Sequence, residues 1–202
     1  MKWDFKEIIQ ETNHPYLNFY TVKYLVTENS GVQKEYCYYL ASRHNKEELL
    51  VKTQNYTKPD GVIIPLYYID NNNEISLLLT KQFRPALGRY VISVPAGLID
   101  DGEDLISSVK REAKEEAGVN IDNIEILSPI GTTSSGLSDE TNAIVLARII
   151  DFNDKNLEEF EDINCFLVKL NEIDTILNDA NLFIANTARL VFLYLKERFK
   201  NK

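Results

Sequence analysis

Apolar and polar positions partly alternate over residues 16–27, a stretch rich in Tyr, Val and Phe, and a second such run covers 32–41. A two-residue period sends successive side chains to opposite faces of a sheet, so both stretches predict strands. Residues 28–31 between them predict the turn of a hairpin. A lone hairpin is marginal in water and must pack on something else. Residues 45–52 predict a short helical turn, and the segment 55–61, with Pro59-Asp60-Gly61, has the turn chemistry of a boundary. The expected division is therefore an N-terminal β-rich region, 1–55, followed by a larger domain, 56–202.

Beyond the boundary, residues 62–70, 74–81 and 90–94 predict three strands of a larger sheet, with a turn at 71–73. A helix is predicted over 104–117, with Gly118 as its stop. Residues 121–130, 142–150 and 165–170 predict further strands, the first two separated by a polar loop at 132–141. Helices over 171–178 and 182–199 close the chain. This mixed order predicts an α/β fold, a mixed sheet flanked by helices, with a small β-hairpin region ahead of it. The hairpin aromatics Tyr16, Phe19, Tyr20, Tyr24, Tyr36, Tyr38 and Tyr39 read as core or as a contact between copies of the chain. Leu190, Leu193 and Phe199 of the last helix read as packing.

Composition narrows the chemistry. Of 202 residues, 44% are hydrophobic and 26% charged, which suits a globular chain and is too apolar for disorder. A net charge of −9 argues against a nucleic-acid partner, because phosphate-backbone recognition rests on clustered Lys and Arg. Cys37 and Cys165 lie in apolar strand-like runs, which is neither a disulfide framework nor a thiolate metal site and suggests a reducing compartment. With only His14 and His44, no site needing several imidazoles is available. The first ten residues lack the apolar core of a signal peptide. The strongest apolar stretch, 62–69, contains Pro65 and is far shorter than the roughly 18–20 residues of a membrane span. The expectation is a soluble, cytoplasmic protein with no membrane partner.

The predicted helix 104–117 carries a conflict. At about 100° per residue with Val109 at zero, Leu105, Ala113, Ile106 and Ala117 form a core-facing stripe between about −40° and +80°. Glu116 falls near −20° and Glu112 near −60°, inside or beside that stripe, while Glu115 near −120° borders it. Glu112 and Glu116 are four apart and repel, and they sit where the helix dipole disfavours anions. Carboxylates placed there need a compensating cation, and their hard oxygens suit Mg²⁺ or a similar ion. Arg111 is within reach of Glu115 at i, i+4.

Gly97, then Glu103, then Arg111-Glu112-Ala113-Lys114-Glu115-Glu116-Ala117-Gly118-Val119 resembles a complete Nudix box, and flanking features extend the resemblance over residues 59–202. The resemblance implies a Nudix α/β/α sandwich that hydrolyses a nucleoside diphosphate linked to another group, with Mg²⁺ as cofactor and Mn²⁺ as an alternative ion. By that analogy Glu112 and Glu116 are metal ligands, with Glu115 as a further ligand or neighbour and the Ala96 carbonyl as an additional one. Glu103 and Arg111 would hold the loop and helix in place, and Gly97 and Gly118 serve as turn residues.

Gln82-Phe83-Arg84-Pro85, Pro95-Ala96-Gly97-Leu98-Ile99-Asp100 and Gly136-Leu137-Ser138-Asp139-Glu140 resemble the ADP-sugar pyrophosphatase branch, which includes ADP-ribose hydrolases. The branch implies a substrate contact for Arg84, a water-activating or metal-binding role for Glu140, and a homodimer built through the N-terminal β region. Two positions depart from its pattern: Ser135 stands where a Pro is usual, and Ser93 where a Glu is common. Neither touches the acidic cluster, but both separate activity class from substrate. The expected reaction is ADP-ribose to AMP and ribose 5-phosphate. Another nucleotide sugar, a dinucleotide, or a nucleotide-sensing domain without turnover are the competing readings.

Overall fold

The computed structural model describes residues 1–157, 159 and 161–200. The chain forms two compact units, one of residues 1–60 with 130–142, the other of residues 61–129 with 143–202.

The first unit contains a three-stranded antiparallel sheet of β1 (Lys2–Gln10), β2 (Asn18–Thr27) and β3 (Gln33–Ser42), in that order. The β2–β3 hairpin runs unbroken from Thr27 opposite Gln33 to Asn18 opposite Ser42. Its turn is closed by the Glu28 N–H donating to the Val32 carbonyl at 2.8 Å. Strand β1 enlarges the expected hairpin. The register shifts between Phe5 and Glu7, which breaks the alternation that would have marked the strand, and of its nine residues only Ile8 is buried.

Ile8, Tyr20, Val22, Leu40 and Leu49 form this unit's core, with Tyr24, Tyr38 and Val51 packed against it. The aromatics thus divide. Tyr20 is core, whereas Tyr16, Phe19, Tyr36 and Tyr39 are exposed. Within 45–52 the helix is short, α1 (Leu50–Thr53), and its Leu50 N–H donates to Asp139 Oδ2 at 3.1 Å. The segment 130–142 belongs with this unit, since Leu137 accepts the Ala41 N–H at 2.9 Å and Thr141 accepts the Asp60 N–H at 2.9 Å, both through backbone carbonyls.

The larger sheet has eight strands: β4 (Gly61–Ile63), β5 (Leu66–Ile69), β6 (Ile75–Arg84), β7 (Arg89–Ser93), β8 (Ala96–Leu98), β9 (Val119–Thr132), β10 (Thr141–Phe152) and β11 (Ile163–Lys169). The order is β11-β6-β5-β10-β4-β8, with β7 on β6 and β9 on β10. β5 and β10 are parallel while β6 pairs antiparallel with β5, β7 and β11, so the sheet is mixed. Strand periodicity decides what covers each face. Leu77 and Leu79 of β6 and Leu146 of β10 join a core with α3 (Ile173–Asn178) and α4 (Asn186–Phe199) through Ile173, Leu177, Val191, Phe192 and Leu195. Leu78, Val145 and Ala147 point the other way, onto Val109, Ala113 and Ala117 of α2 (Leu105–Ala117). Helices on both faces make this unit an α/β/α sandwich.

Several expectations are corrected in detail. Residues 62–70 are two strands because Pro65 has no N–H; its carbonyl accepts the Ala147 N–H, and the Ile64 N–H goes to Pro95. Helix α4 begins at Asn186, not at 182. The preceding backbone is used by the sheet: the Phe183 carbonyl accepts the Ile92 N–H at 2.8 Å, and the Ala185 N–H donates to Ile92 at 2.9 Å. Residues 170–172 form a tight 3-10 turn ahead of α3. Leu190 and Leu193, expected to pack, are 68% and 48% exposed, whereas Phe199 is buried. Among the described residues no helix is long and apolar enough to cross a membrane.

In the first unit His44 Nε2 pairs with Asp60 Oδ1 at 3.0 Å. Asp60 Oδ2 accepts the Thr141 N–H at 2.7 Å and its hydroxyl at 2.9 Å. The hydrogen bond that its ring N–H donates to Asp60 raises His44 above its ordinary 6.5 despite partial burial. Burial pushes Asp60 up, but the bonds from His44 and Thr141 outweigh it and leave Asp60 below its ordinary 3.8. The His44 contribution to stability is therefore complete below its unfolded value and is lost as pH rises through the higher folded value. The Asp60 contribution is complete above its unfolded value and is lost on acidification. In urea unfolding from pH 4 to 9, the wild type should exceed His44→Gln most between about pH 4 and 6.5, with the difference shrinking toward pH 8. A difference independent of pH would remove the ion pair from the account.

Candidate active site

Helix α2 is fixed at both ends. Asp104 caps it, its Oδ1 accepting the N–H groups of Ile106 at 2.9 Å and Ser107 at 3.1 Å. That contact is worth about 1 kcal/mol by the usual cost of losing such a cap. Gly118 ends it at φ +64°, and a Cβ there would stand 2.5 Å from the Asn153 carbonyl oxygen, so both conformation and space call for glycine.

Between the caps, Val109, Ala113 and Ala117 are buried, and so are Glu112 and Glu116, at 8% and 6% exposure. The acidic positions that the helical wheel put beside the apolar stripe do lie in it. Glu116 reaches the start of β8, where its Oε2 accepts the Ala96 N–H at 3.0 Å. It is thus the Ala96 amide that is seen bonded to the cluster. Burial pushes the Glu116 carboxyl up to about 8; the charges of Glu112 and Glu161 push the same way, while the Ala96 N–H and Arg84 oppose them. Glu112 is also raised, chiefly by burial and against the pull of Arg111.

Arg111 organises what surrounds these groups. Its Nε and Nη2 meet the two Glu103 oxygens at 3.1 and 3.0 Å, a planar fork that Lys cannot make. Nη2 also reaches the Leu98 carbonyl at 2.9 Å, and Nη1 bridges Glu112 Oε1 at 2.7 Å and Glu115 Oε2 at 3.0 Å. One guanidinium thereby ties the loop before α2, the β8 backbone and two glutamates of the helix. Glu103 is held below its ordinary range by Arg111. Glu115 is more exposed than its neighbours and faces Arg111.

Arg111, Glu112, Glu115 and Glu116 line a cleft of about 420 Å³ together with Ala96, Gly97, Leu98 and Asp100, and with Asn156 and Glu161 from the segment after β10. Sequence reasoning did not find Asn156 and Glu161. They lie in a polar, acid-rich stretch without periodicity, where any one carboxylate looks like a solvated loop residue. Glu140 is in the first unit, where Arg43 Nε approaches its Oε2 at 3.3 Å and the Ser138 hydroxyl accepts its N–H at 3.0 Å. Arg84 is exposed and, among the described residues, has no carboxylate within ion-pair distance. Ser135 is exposed, its carbonyl accepting the Tyr38 hydroxyl at 3.1 Å.

Among the described residues no three Asp, Glu, His or Cys side chains stand ready as a closed metal cage. What fits a divalent cation is the donor chemistry. Glu112 and Glu116 offer buried, hard oxygen atoms, and the β8 backbone passes so close to Glu112 that a Cβ on Gly97 would overlap its carboxylate.

The NUDIX domain model matches residues 57–186 of the chain. An ADP-ribose pyrophosphatase of Saccharomyces cerevisiae is 35% identical over 118 residues, covering 55% of this chain and 50% of the yeast protein. An ADP-sugar pyrophosphatase of Mus musculus is 32% identical over 133 residues, covering 64% of this chain and 60% of the mouse protein. The chain thus spans about half the length of the yeast relative and somewhat more of the mouse one. A crystal structure of an ADP compounds hydrolase superposes over 99% of this chain and 95% of that one with a TM-score of 0.71; at 16% identity this is a likeness of fold.

Gly97 has no left-handed backbone to protect, so its role is space for the Glu112 carboxylate. Gly97→Ala should melt within about 4 °C of the parent, because the group in the way is the end of a flexible side chain. It should weaken divalent-ion binding about tenfold or more by displacing Glu112. Calorimetric titration with Mn²⁺ reads this directly, and unchanged affinity would contradict it.

Proposed function

The chain belongs to the NUDIX family, and on that premise we propose that it hydrolyses the diphosphate linkage of a nucleoside diphosphate joined to another group, in a Mg²⁺-dependent reaction. ADP-ribose is the first substrate to expect, giving AMP and ribose 5-phosphate. One observation carries this reading: two carboxylates of one helix, Glu112 and Glu116, are buried side by side against its apolar stripe. Such a placement destabilises an empty site and suits one that binds a multivalent cation. The pyrophosphatase relatives support the linkage and the adenine nucleotide.

Glu112 and Glu116 would hold the ion, with the Ala96 carbonyl and Glu115 as the further donors expected from the family resemblance. Bound there, the ion would neutralise a diphosphate and lower the pKa of a coordinated water. Arg111 keeps Glu112 and Glu115 in place through the fork to Glu103. Arg84 contributes positive charge close enough to act on Glu116 and is assigned to a substrate phosphate. Glu140 is assigned, by resemblance, to orient the attacking water and accept its proton. The water oxygen forms the new bond to one phosphorus, and the phosphoanhydride bond to the other phosphate breaks.

The reading includes a homodimer formed through the β-rich region, supported by the exposed Trp3, Phe19, Tyr36 and Tyr39 of that sheet. It includes a reducing cytoplasmic setting, supported by the free thiols of Cys37 and Cys165.

Glu116→Gln keeps the shape and an acceptor for the Ala96 N–H while removing the charge. Its turnover of ADP-ribose should fall about a thousandfold or more. Its thermal midpoint should be unchanged or higher, because a carboxyl whose ionised form burial disfavours is gone. Near-normal turnover by the folded variant would overturn the assignment of Glu116.

A further inference from the structure

Glu140 stands in a loop, yet the loop is held like a packed element. In the first unit, residues 137–141 are tied to the end of β3, to the start of α1 and to Asp60. The Leu137 carbonyl accepts the Ala41 N–H at 2.9 Å, and Asp139 Oδ2 accepts the Leu50 N–H at 3.1 Å. The Ser138 hydroxyl accepts the Glu140 N–H at 3.0 Å, and Arg43 Nε meets Glu140 Oε2 at 3.3 Å. The densest tie is at the next residue. Thr141 gives its N–H, at 2.7 Å, and its hydroxyl, at 2.9 Å, to Asp60 Oδ2, and its carbonyl accepts the Asp60 N–H at 2.9 Å.

Asp60 is itself held from the core. Its Oδ1 receives His44 Nε2 at 3.0 Å. The His44 carbonyl accepts the hydroxyl of the buried Tyr20 at 2.9 Å, and the His44 N–H goes to Ser42 Oγ at 3.0 Å. A continuous chain of contacts thus runs from Tyr20 through His44 and Asp60 to Thr141, the residue beside Glu140. Adjacent residues of one segment therefore hold Glu140 twice: Arg43 at its carboxylate, and His44, through Asp60, at its backbone. The arrangement withdraws the Asp60 carboxylate from water, which is unfavourable by itself. A loop that only connects strands tolerates movement. A group that must meet a reacting atom does not, since about 1 Å of misplacement can cost about a hundredfold in rate.

We propose that Asp60, oriented by His44, is the positioning residue of Glu140: it fixes the backbone from which the Glu140 carboxylate is presented. The inference rests on the hydrolase reading above and on the assignment of Glu140 to the attacking water. Asp60 acts through Thr141 and not on the reacting atoms.

The test is a double-mutant cycle between Asp60→Ala and Glu140→Gln, read as kcat and KM for ADP-ribose with Mg²⁺, with amide hydrogen exchange measured on the same proteins. Glu140→Gln should lower kcat about a hundredfold. Asp60→Ala should lower kcat about tenfold or more with KM within about twofold. It should also speed exchange of the Thr141 N–H, whose acceptor is gone. In the Glu140→Gln background the same change should cost less than about twofold more, because no carboxylate is left to misplace. Asp60→Asn keeps an oxygen for Thr141 and should restore kcat to within about threefold of the wild type. Should Asp60→Ala not fold, Thr141→Val removes the hydroxyl bond alone and should lower kcat about threefold at constant KM. Losses that multiply across the cycle, unchanged exchange, or normal kcat in the folded Asp60 and Thr141 variants beside a loss in Glu140→Gln would overturn the positioning role alone. Near-normal kcat in Glu140→Gln would overturn the assignment of Glu140 and this proposal with it. No turnover by the wild type would overturn the hydrolase reading and both assignments.

Discussion

Two carboxylates buried on the apolar side of one helix are the constraint around which the larger unit is arranged. Glu112 and Glu116 share their face of α2 with Val109, Ala113 and Ala117. Neither can reach water as a surface glutamate does, and the charge of each disfavours ionisation of the other. The surroundings answer this demand in specific ways. Arg111 covers Glu112, the Ala96 N–H serves Glu116, and Gly97 leaves out a side chain where one would strike Glu112. The fork between Arg111 and Glu103 then fixes the loop ahead of the helix, so the site and its support share a single guanidinium.

The fold serves this arrangement by clamping α2 to the sheet. Its apolar stripe meets Leu78, Val145 and Ala147, whose sheet neighbours Leu77, Leu79 and Leu146 face α3 and α4 on the opposite side. Strand β8 is only three residues long, yet its pairing with β4 holds the backbone of 96–98 against the glutamates. The polar cleft therefore sits beside a rigid core, which suits groups that must keep their geometry through a reaction.

What the sequence revealed follows the range of the forces involved. The α2 stripe, the displaced glutamates and the Gly118 stop are local, repeating every turn, and could be read directly. The arrangement of sheet and helices was legible for the same reason, and the family resemblance named the fold. Strand β1 was hidden by the register shift between Phe5 and Glu7, and the first turn of the last helix was lost to backbone bonds between Ile92 and residues 183–185. Leu190 and Leu193 carry a helical period that the folded chain does not bury. Asn156 and Glu161 were invisible because their place in the lining of the cleft depends wholly on tertiary placement, and no neighbour in sequence announces it.

The central claim is that a bound divalent ion turns this acidic cleft into a diphosphate hydrolase. The most direct measurement is product release from ADP-ribose, other nucleotide sugars and dinucleotides, each with Mg²⁺ and with chelator. The account predicts Mg²⁺-dependent turnover, strongest for ADP-ribose and releasing AMP, with none in chelator. Binding of a nucleotide without turnover of any compound would contradict it and make the domain a sensor.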